Sequence, residues 1–136
     1  MNLRFAHICI RARDLVDTEN FYVNVLGMER VFNFERNGKR FGFYLRIAAS
    51  EFIEVFEDAN ATAGDSLIRH LCLEVDDIDA AIAELHAHGV ETTEKKIGCD
   101  HSYQVWFKDP NGIDIELHEY TPESAQRVGG TVTADG

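Results

Sequence analysis

The sequence has few cysteines and contains no long apolar stretch. Its three cysteines, Cys9, Cys72 and Cys99, are odd in number and form no CxxC pair, so the chain lacks the cysteine pattern of a secreted disulfide scaffold. No apolar segment approaches the roughly 20 residues that a membrane-spanning helix needs, and the first residues lack the layout of a signal peptide. These absences predict a cytoplasmic protein with reduced thiols.

Positive charge is also scarce. The 136 residues include 13 Lys and Arg against 24 Asp and Glu, which gives a formal net charge of −11 at pH 7. No long run of Lys or Arg interrupts this negative charge, and such a field repels phosphate backbones and anionic lipid surfaces. We therefore expect that neither a nucleic acid nor a membrane is a partner of this protein.

The most informative feature that the sequence does contain is an internal repeat. HICIRARDL begins at residue 7 and HLCLEVDDI begins at residue 70, so His7 and His70 are 63 residues apart. Glu54 and Glu116, later in the two halves, are 62 residues apart, which indicates that one residue was lost within a helix. With 45% hydrophobic residues, the chain can form one globular domain from two similar halves.

Each half begins with a strand and a helix. FAHICIRA and IRHLCLEV show the alternation of apolar and polar residues that is typical of strands. Asp14 in the first half, and Asp76 or Asp77 in the second, are acidic N-cap residues that predict the start of a helix. Gly27 and Gly89 predict the helix ends, because glycine readily adopts the left-handed backbone conformation found there.

Three more strands are predicted after each helix: about 29–35, 40–48 and 51–57 in the first half, and about 91–96, 102–108 and 112–119 in the second. The dipeptide Asn37-Gly38 and the sequence DPNG at 109–112 are typical of tight turns between strands. The fold class is therefore α+β, with two βαβββ modules. We assign residues 1–57 to module 1, 58–66 to a linker, 67–120 to module 2 and 121–136 to a tail that is either loose or draped over a partner.

Strand parity places two histidines and two glutamates on equivalent sheet faces. Because successive strand residues point to opposite sides, His7 and His70 face away from the apolar residues that pack under the helices. Glu54 and Glu116 have the same orientation in the last strand of each module. If both modules curl toward a common cup, these four side chains converge as two imidazoles and two carboxylates.

This set of side chains predicts a divalent metal site. Glu54 lies between Phe52 and Phe56 on its face, where a carboxylate without a partner is costly to bury, and a metal ion would neutralise it. Mixed nitrogen and oxygen ligands suit nickel, cobalt, zinc, iron or manganese, with positions left for water or substrate. The matching positions in the repeat favour a shared function over four unrelated residues.

From about Arg4 to Tyr120 the sequence resembles the vicinal oxygen chelate superfamily, also called the glyoxalase/bleomycin resistance/dioxygenase group. The similarity is carried by HICIRARDL, FYVNVLGM, FIEVFE, RHLCLEVDDI and FKDPNGIDIELHEY. Within this superfamily the sequence looks like bacterial glyoxalase I, lactoylglutathione lyase. The resemblance implies that the paired βαβββ modules curl their strands into a cup that holds a metal.

Members of this superfamily differ in the number of side chains that bind the metal. Iron-dependent extradiol dioxygenases and antibiotic-modifying transferases are similar but use two histidines and one glutamate, corresponding to His7, His70 and Glu116. Non-catalytic binding and resistance proteins lack the set, whereas glyoxalase I has a fourth ligand, which matches Glu54. The resemblance therefore implies a carbon-sulfur lyase with one divalent metal per site, nickel or cobalt being favoured. A ring-cleaving dioxygenase and a non-catalytic small-molecule-binding protein are the alternatives.

The resemblance also implies a reaction. The metal chelates two neighbouring oxygens of a small dicarbonyl-derived substrate, free or conjugated to a thiol, and stabilises the enediolate formed on proton loss. Glu116 is the expected base and Glu54 its counterpart across the metal. Arg11 matches the arginine that binds the γ-glutamyl carboxylate of glutathione, whereas Asp58 stands where the family has an asparagine.

For the assembly, the resemblance implies a homodimer in which two chains exchange modules. Each metal would then take His7 and Glu54 from one chain and His70 and Glu116 from the other, although eight strands could also form one cup within a chain.

His118 shares the strand face of Glu116. Four further side chains are expected near the mouth of the cup: His101, Tyr103, Gln104 and Trp106.

Overall fold

A computed structural model describes residues 1–2, 4–64 and 66–134 of the chain. The elements are β1 (His7–Ala12), α1 (Leu15–Glu19), a π-helical turn (Asn20–Val25), β2 (Glu29–Arg36), β3 (Lys39–Ala48), β4 (Glu51–Glu57), β5 (Leu71–Glu74), α2 (Ile78–Ala87), β6 (Lys96–Ile97), β7 (Tyr103–Lys108), β8 (Asp114–Glu119) and α3 (Ala125–Val128). The βαβββ order occurs twice, which confirms the predicted α+β fold. No helix in the described part of the chain has the length and apolar composition needed to cross a membrane.

The chain divides into two compact units. Unit 1 comprises Met1–Gly64 with Asp109–Gly112, and unit 2 comprises Asp65–Lys108 with Ile113–Gly136. Each unit contains one four-stranded sheet, with the order β1-β4-β3-β2 in unit 1 and β5-β8-β7-β6 in unit 2. The DPNG segment between β7 and β8 therefore groups with unit 1.

The first strand of each module lies parallel to the last strand. β1 pairs with β4 in a register that sets Cys9 opposite Glu54, and β5 pairs with β8 so that Cys72 lies opposite Glu116. The remaining strands pair in antiparallel fashion. The strand that carries or follows the histidine thus lies beside the strand that carries the glutamate in both sheets.

The helix boundaries follow the capping residues of the sequence. The Asp14 carboxylate accepts a hydrogen bond of 2.9 Å from the Asp17 backbone N–H, and Asp77 accepts one of 3.0 Å from the N–H of Ala80. Gly27 and Gly89 have φ values of 79° and 77°, as a C-terminal glycine requires. The predicted helix starts and ends are therefore confirmed, with Asp77 rather than Asp76 as the cap.

Alternate strand residues form the core of each unit. In unit 1 the core includes Phe43, Leu45, Ile53 and Val55, and in unit 2 it includes Val105 and Ile115, all with an exposed fraction of 0%. Burial of a side chain of this size stabilises a fold by about 1.5–3 kcal/mol. Because these residues alternate with Glu54 in β4 and with Glu116 in β8, the two carboxylates point to the opposite sheet face.

Two segments differ from their predicted form. The strand expected at about 91–96 is reduced to β6 at Lys96–Ile97, although the Thr93 N–H still donates to the Trp106 carbonyl at 2.9 Å. Within the segment expected to be a loose tail, Ala125–Val128 form α3, and just before this helix the hydroxyl of Ser124 forms a buried hydrogen bond of 2.8 Å with that of Ser102. The first part of this segment is therefore docked within unit 2.

Candidate metal centre

In unit 1 the structure brings His7 and Glu54 together. His7 lies at the start of β1 and Glu54 in the middle of β4, with His7 Nε2 3.8 Å from Glu54 Oε1. The other ring nitrogen of His7, Nδ1, forms a hydrogen bond of 2.9 Å with the Tyr44 hydroxyl. When Nδ1 donates its proton to Tyr44, Nε2 presents a lone pair toward Glu54, which is the tautomer that binds a metal.

In unit 2 the structure brings His70 and Glu116 together in the same way. His70 immediately precedes β5, and its Nε2 lies 3.6 Å from Glu116 Oε1. The Trp106 ring packs edge-on against the His70 ring, with the ring centroids 4.7 Å apart. Trp106 and Tyr44 are 62 residues apart, so each half of the repeat places an aromatic residue of its middle strand against the histidine.

The spacing of both pairs fits two ligands of one cation. Distances of 3.8 Å and 3.6 Å between nitrogen and oxygen are longer than an ordinary hydrogen bond. Two ligand atoms bound at about 2.1 Å to a tetrahedral cation lie about 3.4 Å apart. In each pair the distance between nitrogen and oxygen is therefore only slightly longer than the distance expected between two ligands of one divalent cation. Both atoms are also of a type that binds such cations.

The two carboxylates have different surroundings. The Glu54 side chain has an exposed fraction of 20%, against 9% for Glu116. Glu116 also contacts His118, whose Nε2 lies 3.0 Å from Glu116 Oε2. The ligand atoms of Cys72, Glu116 and His118 all lie within 4.8 Å of one another, and parity with Glu116 was the sequence signal for this additional histidine.

The thiols beside the carboxylates are held in the neutral form. Burial of the thiol, and secondarily the neighbouring Glu116 carboxylate, raise the pKa of Cys72 to about 12. Burial, followed by the charge of Glu54, also raises the pKa of Cys9. Since both thiols remain protonated near neutral pH, neither acts as a nucleophile or thiolate in the metal-free protein.

The sheet face that carries Glu54 in unit 1 is lined with aromatic rings. This aromatic face consists of Phe32, Phe34, Tyr44, Phe52 and Phe56. Phe32 stacks on Tyr44 with centroids 4.6 Å apart, and Phe34 packs on Phe56 at 5.0 Å. A Cβ at Gly42 would lie 2.7 Å from the Phe56 ring, so glycine allows that ring to cover β3. The surface beside His7 and Glu54 is therefore mainly apolar.

Arg11, the predicted binding residue for a carboxylate, is already paired. Its Nη1 donates a hydrogen bond of 3.1 Å to Asp58 Oδ2, and the two side chains have exposed fractions of 69% and 31%. A neutral asparagine would leave the charge of the guanidinium available, whereas the Asp58 carboxylate offsets it. The pair therefore weakens the attraction of this position for an anionic substrate.

The residues expected near the cup mouth separate into two groups. Trp106, and Gln104 by strand parity, lie on the sheet face of Glu116. His101 and Tyr103 instead line a cleft of about 580 Å³ in unit 2, whose other lining residues are Ile97, Glu119, Tyr120, Thr121, Pro122 and Glu123. None of the four predicted metal ligands lines this cleft.

Comparison with known proteins shows which solved structures and sequences this chain resembles. It is similar in structure to a glyoxalase family protein from Enterococcus faecalis, with a TM-score of 0.70 and 28% identity over 87% of this chain and 97% of that one. TnmS3, an antibiotic-binding protein from Streptomyces sp. CB03234, has a similar fold, with a TM-score of 0.73 and 24% identity over 89% and 99% of the respective chains.

In sequence, the chain is 32% identical to the uncharacterized protein YaeR of Escherichia coli (strain K12) over 124 residues, which cover 83% of this chain and 93% of that protein. The family model of the Glyoxalase/Bleomycin resistance protein/Dioxygenase superfamily matches residues 4–117. Since the match spans both βαβββ modules and all four residues of the two histidine–glutamate pairs, the chain belongs to the Glyoxalase/Bleomycin resistance protein/Dioxygenase superfamily.

Proposed function

We propose that this protein is a metal-dependent lyase or isomerase like glyoxalase I, in which His7, Glu54, His70 and Glu116 bind one divalent cation. The observation that carries the proposal is the duplicated pair of an imidazole Nε2 and a carboxylate oxygen, 3.8 Å apart in unit 1 and 3.6 Å apart in unit 2. Members of the superfamily typically bind a divalent metal. Nickel or cobalt is the ion that the resemblance to glyoxalase I favours, and zinc, iron or manganese would also suit the mixed nitrogen and oxygen donors.

The reaction is an internal proton transfer on a small dicarbonyl-derived substrate. When bound, the cation supplies the positive charge that stabilises an enediolate. Glu116 removes the proton from the carbon beside the carbonyl, and a proton returns to the neighbouring carbon from the carboxylates, Glu54 being the counterpart of Glu116. Tyr44 and Trp106 hold the two histidine rings in place. The proposal includes a homodimer in which each metal takes one pair from each chain.

The substrate is less anionic than a glutathione conjugate. Asp58 offsets the charge of Arg11, and the net charge of −11 disfavours the approach of an anion. The aromatic face next to His7 and Glu54 favours an apolar substituent on the reacting carbon. We therefore propose a dicarbonyl carried by a thiol with little charge, or an unconjugated dicarbonyl.

Replacing Asp58 with asparagine is expected to raise kcat/KM for the hemithioacetal of methylglyoxal and glutathione. Because the Arg11–Asp58 pair is exposed, we expect a gain of about 2- to 5-fold, which corresponds to the usual strength of a surface ion pair. Turnover of the adduct with uncharged 2-mercaptoethanol should not change. Steady-state kinetics at low ionic strength provide the measurement.

Asp114→Asn is the matched control for this substitution, since it removes the same charge from another exposed ion pair, with Lys108. An equal gain in both variants would mean that net charge alone controls the rate. No gain in Asp58→Asn would contradict the proposed contact between Arg11 and the substrate.

Metal removal and replacement test the function itself. After dialysis against a chelator, turnover of methylglyoxal with a thiol should disappear, and it should return when nickel or cobalt is added back. Elemental analysis should find one bound ion per chain, whether the chains act alone or as a homodimer. A purified protein that binds no stoichiometric divalent metal, or that keeps its activity after chelation, would overturn the proposal.

The aromatic face favours a second candidate, a non-catalytic protein that binds a planar small molecule. TnmS3, which shares the fold, is an antibiotic-binding protein, and stacked rings such as those of Phe32 and Tyr44 suit an aromatic ligand. A binding protein of this kind would keep its affinity after chelation. Titration calorimetry with a planar aromatic diketone, before and after metal removal, separates the two candidates.

A further inference from the structure

His118 occupies a place that only the second half of the repeat fills with a polar residue. It lies in β8 two positions after Glu116, and its side chain has an exposed fraction of 10%. The equivalent residue in the first half, 62 positions earlier, is Phe56. An apolar ring is therefore compatible with this position of the βαβββ module, and an imidazole here requires a specific reason.

The contacts of the imidazole indicate that reason. His118 Nε2 lies 3.0 Å from Glu116 Oε2, within ion-pair distance, and since an ionised carboxylate has no proton of its own, this contact is favourable when Nε2 carries one. Within the described residues, the buried Nδ1 has no hydrogen-bond partner. A buried polar atom without a partner is costly, so the imidazole is not there for its own stability. Its ring packs edge-on against Tyr120, and its close polar contact is with Glu116.

The contact divides the two oxygens of Glu116 between two histidines. Oε2 lies 3.0 Å from Nε2 of His118, and Oε1 lies 3.6 Å from Nε2 of His70. A carboxylate held at one oxygen cannot rotate freely about its last bond, so the other oxygen keeps its direction. Oε1 is thereby left as the oxygen that faces the metal-binding side of His70.

We propose that His118 is a positioning residue that fixes Glu116 and makes the two carboxylates of the repeat unequal. The inference rests on the proposed function. With Oε2 held, Oε1 is presented in one orientation to the cation and to the substrate proton, as a base requires. At the equivalent position beside Glu54 the first half has Phe56, whose ring cannot form an ion pair with the carboxylate. The asymmetry assigns the step of proton removal to Glu116 and not to Glu54.

The repeat supplies the variants that test this inference. His118→Phe copies the first half, His118→Gln keeps an N–H donor of similar reach, and Phe56→His introduces the imidazole beside Glu54. His88→Phe, at an exposed histidine after α2, is the matched control. Thermal unfolding establishes that each variant is folded before any other comparison is made.

Four readouts distinguish positioning from a purely structural effect. In the metal-free wild type, long-range ¹H–¹⁵N NMR should show His118 as the Nε2–H tautomer. His118→Phe should weaken cobalt binding by about 10- to 100-fold in titration calorimetry and alter the absorption spectrum of bound cobalt. It should also lower kcat while KM stays within about 2-fold of wild type. His118→Gln should recover most of the affinity, and His88→Phe should match the wild type.

Each result then has one meaning. An Nδ1–H tautomer in the wild type, or a folded His118→Phe variant with unchanged cobalt affinity and spectrum, overturns the inference. If His118→Phe does not fold, the wild-type tautomer decides the matter together with His118→Gln, which should keep most of the cobalt affinity; a large loss of cobalt affinity in a folded His118→Gln variant overturns the inference. A wild-type protein that binds no cobalt overturns the proposed function, while the NMR signal still shows whether His118 holds Glu116.

Discussion

Glu116→Gln is expected to lower kcat by about 10²- to 10⁴-fold, which is the usual contribution of a general base. Glutamine has the size of glutamate and keeps an oxygen that can face Nε2 of His118, so the local packing is preserved. It cannot take a proton, however, and it is a much weaker metal ligand than a carboxylate. Kinetic measurements with saturating metal separate the loss of the base from the loss of metal binding.

The control for this prediction is Glu57→Gln, which makes the same change at an exposed position of β4. Its kcat should match that of the wild type, and both variants should unfold at nearly the same temperature as the parent. If Glu116→Gln retains full turnover in a folded, metal-loaded protein, Glu116 is not the base and Glu54 becomes the alternative.

The second large effect is expected from Asp109→Ala in the DPNG turn. Asp109 Oδ2 accepts a hydrogen bond of 3.0 Å from the Tyr22 hydroxyl, and Oδ1 accepts one of 2.8 Å from the Asn111 N–H. Tyr22 has an exposed fraction of 0%, and burial raises its pKa, so its hydroxyl remains a donor that water cannot reach. Loss of the acceptor is expected to cost about 3 kcal/mol.

Thermal and urea unfolding measure this loss. A cost of about 3 kcal/mol corresponds to a decrease in Tm of roughly 10 °C for a chain of this length. Asp114→Ala removes an exposed aspartate that pairs with Lys108, and as a control it should cost less than about 1 kcal/mol. Equal effects of the two substitutions would show that the buried contact with Tyr22 adds little stability.

The duplicated fold could be predicted because it depends on short sequence patterns. These patterns are local, because each acts within about ten residues. They are the alternation of apolar and polar residues in FAHICIRA and IRHLCLEV, the aspartate before each helix and the glycine after it. The strands predicted at about 29–35, 40–48 and 51–57 agree with β2, β3 and β4 within one residue at each end. Local propensity and the tertiary fold therefore agree for these three strands.

The two segments that differ from prediction depend on distant partners. Of the stretch expected at about 91–96, only Lys96 pairs regularly with β7, followed by Ile97, because an edge strand has a neighbouring strand on one side alone. The helix α3 has only four residues, too few to produce a periodic pattern. Its position is set by Ser124 and Ala125, which bond to Ser102 and Asp100 more than twenty residues away.

The sequence by itself determined the repeat, the sheet face of each candidate ligand and the choice of two imidazoles and two carboxylates, because strand parity requires only the order of residues. Tertiary structure alone decided which atoms meet. Two of the contacts join side chains of different strands or loops, namely Tyr44 with Nδ1 of His7 and Asp58 with Arg11. A third, between His118 and Oε2 of Glu116, joins two residues of the same strand. Such contacts depend on register and rotamer, which arise only when the strands are packed together.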